Sequence, residues 1–188
     1  MLAWDALGGM PDKELASISG GELQGRELVL PSAGQETLVD LGDRTVTTPD
    51  ILGGGWGLAT LHHLKGCLNW NMDDEWTSFD MIASGRPFAE AFRQRALTPL
   101  AERYGRSPGD LLRDTSSLGG TRIEMGDAAV NVQAFPRLKM AIAVWLGDEE
   151  VPGRAMMLFD SGGARTLPPE DLAEVGISIA QAILSKDR

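Results

Sequence analysis

The chain has 188 residues, 43% of them hydrophobic and 23% charged, with a formal net charge of −10. That length suits one domain stabilised by its own core, and the composition excludes a disordered or fibrous chain. The acidic balance excludes general affinity for nucleic acid or an anionic membrane surface, and the apolar run Met140–Leu146 is far short of the ~20 residues of a membrane-spanning helix.

A helix is expected from Asp12, after a turn around Gly8-Gly9 and Pro11, with its stop at Gly20-Gly21. RELVLPS (26–32), QETLVDLG (35–42) and DRTVTT (43–48) alternate apolar and polar residues between turn formers, which predicts an antiparallel meander. DILGGGWGLATLHHLKG (50–66) predicts a helix capped by Asp50 and ended by Gly66, with Leu58, Leu61, Leu64 and His62 along its apolar side. Its GGGWG entry lacks the Lys-Ser/Thr of a phosphate loop. Residues 69–87 are irregular yet dense in Trp, Phe and Met, which suggests a contact surface or a lid.

A helical stripe follows through Phe88, Phe92, Leu97, Leu100 and Tyr104, with a kink expected at Pro99. SPGDLLRD (107–114) reads as a short helix capped by Ser107. Two short strands flank Gly126-Asp127, and RLKMAIAVWLG (137–147) with RAMMLFDS (154–161) reads as a long hairpin. A last helix runs from LPPEDLA towards Lys186 and Arg188, acids at its positive end and bases at its negative end. The expected fold is a single α+β domain over 1–188, mostly antiparallel sheet with helices packed on it. An acidic helix plus hairpins occupies 1–50, ahead of the remainder, 51–188.

Both histidines and the single cysteine fall within GLATLHHLKGC (57–67). His62 and His63 are adjacent, about 100° apart around a helix, so they cannot easily share one ion. His63 and Cys67 have helical i,i+4 spacing, although a helix stop at Gly66 would blur that geometry. Two acids can be added to them, Asp127 and Asp160, giving a metal- or thiol-dependent enzyme as one functional alternative. No complete metal ligand set is evident from the spacing. FDSGG (159–163) could present backbone amides to an anion, or be a plain turn. One cysteine and an N-terminus without a cationic start lead to an expected reducing, cytoplasmic setting.

Seven stretches in order carry a family resemblance: LHHL (61–64), EWTSF (75–79), AFRQRALTPLAERYG (91–105), LGG (118–120), GDAA (126–129), FPRLKMAIAVWLGDEEVPGRAMMLFD (135–160) and LPPEDLA (167–173). The chain resembles the domain of unknown function 3786 family, found largely in anaerobic bacteria and archaea. Some members carry a four-cysteine module similar to the iron–sulfur subunits of corrinoid proteins, so the resemblance implies anaerobic one-carbon or corrinoid-linked metabolism and an iron–sulfur or corrinoid protein as partner. Cys67 alone cannot supply the four thiolates of a cluster.

Within the part that resembles the family, aromatic Trp70, Trp76 and Phe79 precede Arg86, Arg93 and Arg95 in an otherwise acidic chain. Flat apolar walls with arginine forks suit a large amphipathic cofactor, and tetrapyrroles and corrinoids have that profile. The expectation is therefore a non-catalytic cofactor- or partner-binding accessory protein using His62, Trp76, Phe79, Arg86, Arg93 and Arg95. A structural subunit of a larger complex, its Trp and Met residues buried by a partner, is the third alternative.

Overall fold

Period-two burial builds two separate antiparallel sheets in the computed structural model, which describes residues 2–73, 75–82 and 84–185. Lys186 and Arg188, expected at the basic end of the last helix, lie outside the described residues. The smaller sheet is the predicted meander with one strand added in front: β1 (Glu22–Gln24), β2 (Glu27–Ser32), β3 (Gln35–Asp40) and β4 (Thr45–Thr47), in that order. Ala33 (φ 47°) and Gly34 (φ 71°) form the β2–β3 turn in the left-handed region that two-residue hairpins need. Leu28, Leu30 and Val39 face inward against α1 (Leu2–Leu7) and α2 (Asp12–Ser19), burying Leu7, Leu15 and Ala16. The segment before Gly8 is thus helical, where a turn was expected.

The larger sheet holds β5 (Trp76–Ser78), β6 (Thr121–Ile123), β7 (Ala128–Phe135), β8 (Leu138–Trp145) and β9 (Arg154–Asp160), ordered β5-β9-β8-β7-β6. Register sets Val130 opposite Ile142 and Ile142 opposite Met157, with Val132, Met140 and Phe159 in the next row. These rows form one apolar face, since strand side chains alternate. Helices α4 (Arg86–Phe92), α5 (Thr98–Tyr104), α6 (Asp110–Asp114) and α8 (Pro169–Leu184) add Phe92, Leu100, Tyr104, Leu111 and Ile179 to the same core. α8 is buried almost all round, as a helix apolar on every side must be. Among the described residues no helix is long and apolar enough to cross a membrane.

Pro99 acts differently from a simple kink. Residues Arg93–Leu97 form a π-helical turn between α4 and α5. The wider turn takes up the mismatch where the proline ring would meet the preceding carbonyls and its nitrogen offers no proton.

Helix α3 (Trp56–Cys67) joins the two cores. Asp50–Leu52 is only a single 3₁₀ turn, and Gly53 at φ 75° separates it from α3. Trp56, Ala59 and His63 face the larger core, while Leu64 completes the smaller one. Leu58, expected on the buried side, is exposed. Gly66 does not end the helix. A β-carbon there would lie 2.0 Å from the Thr166 carbonyl oxygen, so this glycine permits close approach of the 163–167 segment.

Candidate functional site

Because α3 continues through Gly66, Cys67 keeps its helical spacing and its Sγ lies 3.5 Å from His63 Nε2. On the other side of the ring, His63 Nδ1 is 2.7 Å from Thr166 Oγ1, which itself donates to the Gly163 carbonyl at 2.6 Å. A hydroxyl that has spent its proton can only accept, so the imidazole carries its proton on Nδ1 and Nε2 accepts a hydrogen bond from the thiol, which keeps its proton. The Gly163 amide then donates to Asp160 at 2.7 Å. Gly163 therefore joins the two halves of the network, its carbonyl accepting from Thr166 and its N–H donating to Asp160.

Every polar member of that relay is satisfied, and its imidazole and thiol are kept uncharged. Burial, with Arg137 adding repulsion, pulls the His63 pKa down to about 3. Burial pushes the Cys67 thiol up to about 12, against the opposing pull of Arg137. Asp160 is raised above the ordinary carboxylate range by burial, although the Lys139 and Gly163 amides bond to it. It caps the first turn of α7 (Ser161–Ala164), so the FDSGG amides serve the chain's own carboxylate. Asp127 is remote from this group. It accepts from the Leu146 amide while Asp160 accepts from Lys139, seven residues away along β8. That separation is about 23 Å at ~3.3 Å per strand residue. Among the described residues, no three His, Cys, Asp or Glu side chains gather as a metal site would require.

His62 points elsewhere, pairing through Nδ1 with Asp171 in the first turn of α8. Phe79 is buried and stacked on Phe92, centroids 4.8 Å apart, and Phe159 lies beside both. Arg93 pairs with Glu90, and Arg95 with Glu174 at 3.7 Å. Phe79 and Arg93 share a cleft of about 200 Å³ with Phe92, Leu97 and Met157, but Trp76, Arg86, Arg95 and His62 do not line it. The six expected cofactor residues thus occupy several places.

The sequence profile of a family described as Domain of unknown function (DUF3786) matches residues 13–182. The chain belongs to the DUF3786 family. No functionally curated protein and no solved structure matches it. The matched span starts inside α2, so the smaller sheet is part of what the family shares, together with the larger one.

Two features of this DUF3786 chain gave no sequence signal. Arg137, in the β7–β8 turn, donates to the carbonyls of Ile18 (2.8 Å) and Ser17 (3.1 Å) at the end of α2 and lies over the Trp70 ring at 4.4 Å. Its hydrogen-bond partners are more than a hundred positions away. β5 is the second. It is too short for periodicity to register, yet it forms the outer edge of the larger sheet, and Trp76 on it is exposed.

Proposed function

We propose that this DUF3786 protein is a non-catalytic accessory subunit that binds another protein along the β5 edge of its larger sheet. The observation that carries this is the placing of Met72, Trp76 and Met81, which are 73%, 42% and 77% exposed, on β5 and the segments leading into and out of it. Single apolar side chains at a surface are ordinary. Large ones along an unpaired strand edge favour a surface that a partner covers. Arg86, exposed at the start of α4 and without an ion pair among the described residues, supports an acidic partner. Of the partners the family resemblance implies, an iron–sulfur or corrinoid protein is the first to test.

The other readings have less support. The Phe79–Arg93 cleft, at about 200 Å³, falls below the roughly 300–1,000 Å³ of ligand pockets. A thiol or metal mechanism would need an ionised Cys67 or converging ligands, and the thiol here is held protonated. The test is photocrosslinking in the native host, with benzoylphenylalanine at position 76 or 81 of the full chain and at Gln24 on β1 as control. One protein captured from both positions and not from the control is expected. No adduct at either, or equal adducts at all three, would remove the proposal.

A further inference from the structure

We infer that the partner contributes an extended segment, laid antiparallel along the outer edge of β5, with one apolar side chain seated in the groove beside Thr77; this rests on the partner-binding reading above. Among the described residues β5 has β9 on one side and no strand on the other. The direction of its backbone groups follows from one bond. The Ser161 amide donates to the Glu75 carbonyl at 2.8 Å, so Glu75 faces β9. Successive residues of an antiparallel strand face alternate neighbours, so Thr77 also faces β9, opposite Phe159, while Trp76 and Ser78 face outward. On that outer side, among the described residues, the Trp76 and Ser78 amides and the Trp76 carbonyl have no hydrogen-bond partner. The Ser78 carbonyl has only the hydroxyl of its neighbour Thr77, at 3.4 Å.

Side chains alternate as well, so Thr77 shares the face of Phe159, its cross-strand neighbour in the larger core. A groove of about 290 Å³ lies on that face, lined by Thr77, Ile82, Ser161, Ala164, Arg165 and Leu167. Phe159 fills the β9 side of Thr77, so the groove opens towards the outer edge. Ala164 and Leu167 belong to the larger core and Ile82 packs against it, which makes the floor apolar. Arg165, the charged group among the lining residues, is held by Asp73 at 3.0 Å. Outward backbone donors and acceptors beside an apolar slot are matched by an extended peptide, which takes affinity from the ladder and specificity from alternate side chains. A helix has already used its own backbone groups.

Register makes the inference specific. From its N-terminal end the added segment sets its first residue opposite Ser78, its second opposite Thr77 and its third opposite Trp76. The second turns its side chain to the Thr77 face, so it is apolar, and the groove has room for one large side chain. The third lies on the Trp76 face, where an aromatic or β-branched side chain packs on the exposed ring. The first is unconstrained. A second copy of this chain fits less well. Pairing β5 with itself about a twofold would set Thr77 opposite Thr77 and offer the slot only a small hydroxyl-bearing side chain, between two chains that each carry a net charge of −10. The occupant is therefore a different protein, read as any, apolar, aromatic or β-branched.

The probe is a displayed library of random octapeptides selected on the immobilised full chain, followed by amide exchange with a synthetic copy of the selected peptide. Selected peptides should share an apolar residue followed directly by an aromatic or β-branched one. On binding, the Trp76 and Ser78 amides, fast-exchanging in the free chain, should slow by about tenfold or more, while Thr77, which faces β9, changes little. Ser78 has φ −86° and ψ 158°, near the roughly −65° that proline fixes for φ, so Ser78→Pro removes one outward N–H and should weaken the peptide by about tenfold. The amide readout uses the unaltered chain, so a folding defect in that variant does not decide the matter. An empty selection, peptides with helical i,i+4 spacing, unchanged Trp76 and Ser78 amides, or a dimer of the free chain by light scattering would each overturn strand addition by a partner. Crosslinks from 76 and 81 alongside unchanged amides would keep the partner-binding reading and remove only this mode.

Discussion

Protonating His63 would set a cation beside Arg137, with Phe135 stacked on the ring at 4.6 Å and no carboxylate among its hydrogen-bond partners. Its pKa, ordinarily 6.5, is about 3 in the folded chain. Between those values the unfolded chain binds a proton that the folded chain refuses, so stability falls as pH falls through that window. The full difference corresponds to about 5 kcal/mol, and about 2 kcal/mol of it is lost between pH 7 and pH 5. Urea unfolding at those two pH values should show the wild type losing about 2 kcal/mol more than His63→Gln. Equal losses would mean that the ring is not excluded from protonation as described. Cys67 gives the companion expectation. A thiol raised to about 12 and almost fully buried should resist iodoacetamide at pH 8 until the chain is unfolded. Rapid alkylation of native protein would instead favour the thiol-dependent alternative.

Two glycines in the same helix should respond to alanine with opposite sign. At Gly66 a β-carbon meets the Thr166 backbone, which has no flexible end to swing away, so Gly66→Ala must push α3 from the 163–167 segment. Overpacking of this kind costs about 2–3 kcal/mol. At Gly57 the nearest atoms, on Thr48 and Val46, are at ordinary contact distances of 3.7–4.0 Å. There Gly57→Ala should stabilise by about 0.5–1 kcal/mol, through helix propensity and reduced freedom of the unfolded chain. Thermal unfolding of the two variants checks both signs. The same pair explains what was legible beforehand. Long strands such as β8 and β9, and the last helix, follow from their own periodicity and end signals, and so do the α+β class and antiparallel pairing, while β7, expected as a short strand, runs for eight residues. Gly66 looked like a helix stop because a glycine after an apolar run usually is one; its actual reason is a backbone a hundred residues further on. For the same reason His63, in phase with Trp56 and Ala59, is the core histidine, and His62 is fixed by Asp171. β5 exists as a strand only because β9 lies beside it.

At the scale of the molecule, a cleft of about 730 Å³ has room for a macrocycle, but Glu102, Asp148, Glu149 and Glu150 line it with Arg106 as the lone base. A tetrapyrrole bearing propionate carboxylates would be repelled there, so titration with haem should give no saturable absorbance change. The remaining question is what makes two cores one folding unit. α3 contributes to both, and Arg137 ties the larger sheet to the end of α2, where its charge also suits the negative end of the helix. The β2–β3 turn adds a direct link, its Ala33 amide donating to the Gln133 carbonyl of β7 at 2.9 Å, so the two sheets should unfold together. Arg137→Ala removes two bonds to carbonyls and the contact with Trp70, which together should cost about 2–3 kcal/mol. That loss should fall unevenly, because α3 still belongs to the larger core when α2 loosens. Native-state amide exchange should therefore show the β2 and β3 amides opening at lower free energy than those of β8 in the variant, and at matching free energy in the wild type. If protection drops equally in both sheets, α3 and the β2–β3 turn are sufficient to couple them, and the Arg137 contacts stabilise the fold without linking its two parts.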